Sequence, residues 1–108
     1  MRGNISINYS PNFSPIKRNY SKIKFIILHY TGMKSEIKAI RRLTSVLSKV
    51  SCHYFVSEKG NVIQMVPEKY VAWHAGKSCW KKYKFLNDYS IGIEIHNKGH
   101  ENGYLNFK

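Results

Sequence analysis

Ser90-Ile91-Gly92-Ile93-Glu94 sets a carboxylate into a segment that is otherwise apolar, and a second such segment, Phe25-Ile26-Ile27-Leu28, ends at His29. Side chains alternate across an extended strand, so Ile91, Ile93 and Ile95 face one way and Gly92, Glu94 and His96 the other. An acid or an imidazole placed among apolar strands costs free energy unless it is paired or put to use. For each residue alone the plain alternative stands: a lysine partner for Glu94, ordinary core burial for His29. Together they point to hydrolytic chemistry, because strand ends are where ligands collect in parallel and mixed sheets. Gly92, on the face of Glu94, predicts room there for a substrate or a water.

Working outward, Lys24 to Tyr30 reads as a strand apolar on both faces, as a central strand covered on each side would be. Thr31-Gly32 closes it and Ser35 can cap a helix from about Glu36 to Val50, with Ile37, Ile40, Leu43, Val46, Leu47 and Val50 at helical spacing. His53 to Ser57 and Val62 to Val66 read as short strands joined by the turn Glu58-Lys59-Gly60-Asn61, with Pro67 ending the second. Val71 to Tyr89 is irregular and aromatic, holding Trp73-His74-Ala75-Gly76, Trp80 and Lys81-Lys82. Long loops inside compact domains are usually functional. Residues 1–20, with Pro11 and Pro15, read as an irregular, turn-rich arm. The expectation is one mixed α/β domain over 1–108, a central mixed sheet of about four strands with flanking helices.

Composition narrows the class. The 108 residues suit one domain, and 43% hydrophobic with 14% aromatic residues argues against disorder. No apolar run is long enough to cross a bilayer, and the polar N-terminus does not read as a signal peptide, which makes the cytoplasm the default location and the cell envelope the alternative. Lysine supplies 14 of the 18 basic residues behind the +12 formal charge, scattered along a chain rich in Ile, Asn and Tyr. That mixture is one AT-rich coding would produce, and together with the scatter it argues against a nucleic-acid partner despite the charge. Cys52 and Cys79 match no disulfide framework or zinc-finger spacing.

His29-Tyr30-Thr31-Gly32, Ser51-Cys52-His53-Tyr54, Val66-Pro67-Glu68, Trp73-His74-Ala75-Gly76, Asn87-Asp88 and Ser90 to Ile95, in this order, closely resemble the zinc-dependent N-acetylmuramoyl-L-alanine amidases. That family includes T7-type phage lysozyme and the peptidoglycan recognition proteins. Asn97 to Glu101 and Ser10-Pro11-Asn12-Phe13 look like its bacterial branch. The resemblance implies the family's fold and hydrolysis of the amide between N-acetylmuramic acid and L-alanine in peptidoglycan or muropeptides. It implies His29 as the first zinc ligand and Glu94 as the catalytic glutamate, a general base that orients and deprotonates the metal-bound water. Trp73, His74 and Trp80 fall where the family builds its substrate cleft, with core packing the alternative for the tryptophans. Lys81 could attract stem-peptide carboxylates, and Asn87 with Asp88 would order the loop before the catalytic strand, so Lys81 and Asn87 join the expected substrate-binding set.

The family carries two further zinc ligands in a C-terminal segment that this chain does not reach, so the resemblance implies a C-terminally truncated domain. Two consequences are expected. Without a separate C-terminal fragment the chain would be a weak or inactive enzyme, and apolar surface on the sheet or helix would be left uncovered. The alternative function is a muropeptide-binding fragment without catalysis; the remaining alternative, a basic nucleic-acid-binding domain, rests on charge alone.

Overall fold

The computed structural model describes residues 5–76 and 79–97. Five strands form a mixed sheet: β1 (Ile5–Ile7), β3 (Phe25–Tyr30), β4 (Tyr54–Val56), β5 (Val62–Gln64) and β9 (Ser90–Ile95). Their order is β1-β5-β4-β9-β3, with β4 and β5 antiparallel and the other three pairings parallel. Two small antiparallel pairs flank it, β2 (Phe13–Ser14) with β6 (Val71–Ala72), and β7 (Cys79–Trp80) with β8 (Tyr83–Lys84). One α-helix is present among the described residues, α1 (Glu36–Thr44).

The register sorts the sheet into two unlike faces. His29 pairs with Glu94 and Glu94 with Phe55, so these three share a face. Helix α1 covers that face: Ala39 and Leu43 pack with Cys52, Phe55 and Met65 into the core, where Phe55 and Met65 are fully buried. The opposite face carries Ile26, Leu28 and Tyr30, with Ile5 and Ile7 on the far strand, all between 54% and 66% exposed. The expectation of a central, doubly covered strand at residues 24–30 is therefore corrected. Among the described residues β3 is a sheet edge, and the face that carries Ile26, Leu28 and Tyr30 is exposed.

Other boundaries also shift. Ser35 caps α1, its side chain accepting the Lys38 amide at 3.2 Å, but the helix stops at Thr44 rather than Val50. Ser45 is extended, a short 3-10 turn follows at Val46–Ser48, and Lys49 takes a left-handed conformation at φ 54°. Val46 and Leu47 consequently point to solvent. The hairpin is present, its turn closed by the Ser57 amide donating to the Asn61 carbonyl at 2.8 Å, with Gly60 at φ 89° as the turn requires.

The N-terminal arm is more ordered than its prolines suggest. Ile5-Ser6-Ile7 adds a fifth strand to the sheet. Asn12, almost fully buried, donates through Nδ2 to the carbonyls of Ser45 at 2.8 Å and Val50 at 2.9 Å, clasping the segment that leaves α1. Arg18 reaches across to donate to the carbonyls of Glu68, Asn87, Asp88 and Ser90. Those bonds satisfy buried backbone acceptors and anchor the start of β9.

Candidate active site

His29 and Glu94 sit opposite one another on adjacent parallel strands and open into a cleft of about 210 Å³. Trp73, His74, Arg42 and Met33 also line it. Both side chains are half-buried beside α1, whose Ala39 and Leu43 also line the cleft. Burial lowers the pKa of His29, which keeps the ring neutral and its lone pair available. Burial raises that of Glu94, partly offset by the charge of Arg42. A carboxylate moved upward in this way is a better proton acceptor than one in water.

Behind His29 stands a second imidazole. His29 Nε2 and His74 Nδ1 are 3.0 Å apart, and His74 Nε2 lies 2.9 Å from Ser90 Oγ. The ring of His74 fills the space beside Gly92 that the sequence suggested for substrate or water: a Cβ at Gly92 would lie 2.3 Å from His74 Cγ. Burial, helped by the nearby His29, His53 and Arg18, pushes the His74 pKa down to about 3.

His53 is a third imidazole, and it is structural in its bonding. Its Nδ1 accepts the Gly92 amide at 3.0 Å and its Nε2 faces the Tyr70 carbonyl at 2.8 Å. Burial is the main cause that takes its pKa to about 4. Unfolded, each of these rings takes up a proton near pH 6.5; folded, His53 resists until about pH 4 and His74 lower still. Between those values the unfolded chain binds more protons, so acid favours unfolding. Unfolding free energies from denaturant titrations between pH 7 and pH 4 should fall through these rings, by up to about 1.4 kcal/mol per pH unit for a single ring, and His53→Gln should flatten the slope.

The remaining expected residues are dispersed. Trp73 is half-buried at the cleft wall, its Nε1 donating to Ser14 Oγ at 3.3 Å and its amide to Ser51 Oγ at 2.9 Å. Asn87 does not line the cleft; its Oδ1 accepts the amides of His74 and Ala75 at 3.2 and 2.8 Å and so shapes the loop that presents Trp73 and His74. Lys81 is exposed, at φ 53°, and away from the cleft lining. The Trp80 side chain and His100 lie outside the described residues. Ser90, Arg18 and Arg42 were not singled out from sequence. The sign that could have flagged a neighbour is Gly92 itself, a residue without a side chain on the face of Glu94.

A separate group of possible metal ligands brings Glu36, Glu58 and His96 within 4.8 Å of one another. None of them lines the cleft. Among the described residues no comparable set of three gathers at His29. The described residues therefore fit a catalytic zinc in part: His29 would be one ligand, with Glu94 beside it as a base, where such a site takes three protein ligands.

An acid and an imidazole thus face each other on adjacent parallel strands, over a cleft that Trp73 also lines. Residues 19–106 match the family model described as N-acetylmuramoyl-L-alanine amidase, and the chain belongs to that family, which is in general zinc-dependent. N-acetylmuramoyl-L-alanine amidase AmiD from Escherichia coli (strain K12) is 40% identical over 87 residues, covering 74% of this chain and 30% of that protein. The structure of the E. coli AmiD complex with the substrate anhydro-N-acetylmuramic acid-L-Ala-D-gamma-Glu-L-Lys superposes with a TM-score of 0.67 at 38% identity, over 80% of this chain and 35% of that one. AmpDh3 from Pseudomonas aeruginosa gives a TM-score of 0.71 at 27% identity, over 88% of this chain and 41% of that one. The chain thus spans well under half the length of these relatives. Among the described residues no helix is long and apolar enough to cross a membrane.

Proposed function

We propose that this domain hydrolyses the amide between N-acetylmuramic acid and L-alanine in muropeptides or peptidoglycan. The observation that carries the reading is the register of β3 and β9, which sets His29 against Glu94 over one cleft. Glu94 takes a proton from the attacking water and passes it to the leaving amine of L-alanine. Zinc, which His29 would help to hold, supplies Lewis acidity toward the scissile carbonyl and acidifies water when bound. Trp73 offers an apolar ring to the sugar or stem peptide.

The test is incubation of the protein with an anhydromuramyl tripeptide, with and without zinc, followed by mass spectrometry of the released peptide. Zinc-dependent release supports the enzyme reading. The presence of one gathered ligand favours a second reading, muropeptide binding without cleavage. It predicts affinity that persists in chelator and no product. In either case Trp73→Ala should weaken muropeptide binding about tenfold, the scale of one aromatic contact, as read by calorimetric titration.

A further inference from the structure

We infer that His74 and Ser90 are positioning residues that fix the tautomer of His29 through a hydrogen-bond chain whose direction is set at its far end. The Leu86 carbonyl can only accept. Ser90 Oγ stands 2.7 Å from it, which commits the single hydroxyl proton there. His74 Nε2, 2.9 Å from the same oxygen, must then be the donor and carry its ring proton.

A neutral His74 protonated on Nε2 has a lone pair on Nδ1. The group facing that lone pair at 3.0 Å is His29 Nε2, which therefore donates. His29 keeps its proton on Nε2, and Nδ1 is left as its one ligand atom. The two rings cross at 72° with centroids 5.2 Å apart, so the bond runs from the edge of one ring to the edge of the other.

The rest of the surroundings hold the chain in this sense. Arg18 donates to the Ser90 carbonyl at 2.8 Å and fixes the backbone that carries the hydroxyl. Asn87 holds the amides of His74 and Ala75. Gly92 leaves the ring of His74 its place. In water a histidine exchanges between tautomers, and only one of them offers a given nitrogen to a metal; an outer partner that fixes the proton removes the wrong form.

The purpose of this device rests on the reading of His29 as a ligand, but the tautomer is a property of the metal-free chain and is measured without turnover. In protein labelled with ¹⁵N at histidine and free of metal, long-range ¹H–¹⁵N spectra should show protonated Nε2 on both His29 and His74. A ¹⁵N–¹⁵N coupling should connect His29 Nε2 to His74 Nδ1 across the hydrogen bond. Ser90→Ala leaves the His74 Nε2 proton without an acceptor, so the pair should lose its single direction, with part of the His29 population moving its proton to Nδ1. A His29 proton on Nδ1 in the unaltered chain, or a spectrum unchanged by Ser90→Ala, overturns the inference. The unaltered chain decides the matter even if the variant does not fold, and a failed cleavage assay leaves this measurement untouched.

Discussion

Glu94→Gln should lower the rate of muropeptide cleavage by about 10²–10⁴-fold, the range set by removing a general base, while leaving the protein as stable as before or more so. Glutamine keeps the shape of the side chain and loses its ability to take a proton. The stability half of the expectation follows from the burial that raises the pKa of Glu94. A group whose folded pKa exceeds its unfolded one costs stability as pH rises through that range, since the folded chain resists losing the proton. At neutral pH the amide avoids this cost. Equal or higher melting temperature together with lost turnover separates a chemical role from damage to the fold; a variant that retains at least a third of the activity would remove Glu94 from the reaction.

Gly92→Ala should destabilise the domain by about 3 kcal/mol, from overpacking of about 1–3 kcal/mol together with weakened hydrogen bonds of about 1 kcal/mol each. The added methyl would lie 2.3 Å from His74 Cγ, 2.5 Å from Cδ2 and 2.6 Å from Nδ1. Those atoms belong to a rigid ring tied at both nitrogens, to Ser90 and to His29. It cannot turn aside without breaking both ties. Against a typical total of about 5–15 kcal/mol this is a large loss, visible as a lowered urea midpoint. A shift below 1 kcal/mol would mean that the ring has more freedom than its contacts indicate.

How far these features could be read from the residues depends on the range of the forces behind them. The strand at 90–95 was legible because alternation is local, and the hairpin because Gly60 and Asn61 mark a turn. The end of α1 was not. Apolar residues continue at helical spacing to Val50, while Ser45 takes an extended conformation and Asn12, from far upstream, claims the Ser45 and Val50 carbonyls. β1 was hidden for a similar reason: three residues hold their place through a parallel partner distant in sequence. At β3 the apolar pattern registered a need for cover without showing which face receives it.

The site divides along the same line. His29 and Glu94 could be placed together from strand ends and face parity. His74, expected at the substrate cleft, lines it and also packs against Gly92 and His29, a relation between three separate segments that no periodicity encodes. Asn87 was expected among the substrate contacts, and also as a loop-ordering residue; its side-chain oxygen serves the loop amides. Lys81, read as a partner for carboxylates, stands off the cleft.

The parallel union of the segments ending at Tyr30 and Ile95 has a bearing on how this molecule acquires its chemistry. Parallel neighbours cannot be joined by a tight reversal, so everything between them must be spooled out and laid down before they zip together. The cleft accordingly depends on a union of segments far apart in sequence: only when Phe25–Tyr30 and Ser90–Ile95 lie side by side do His29 and Glu94 face one another.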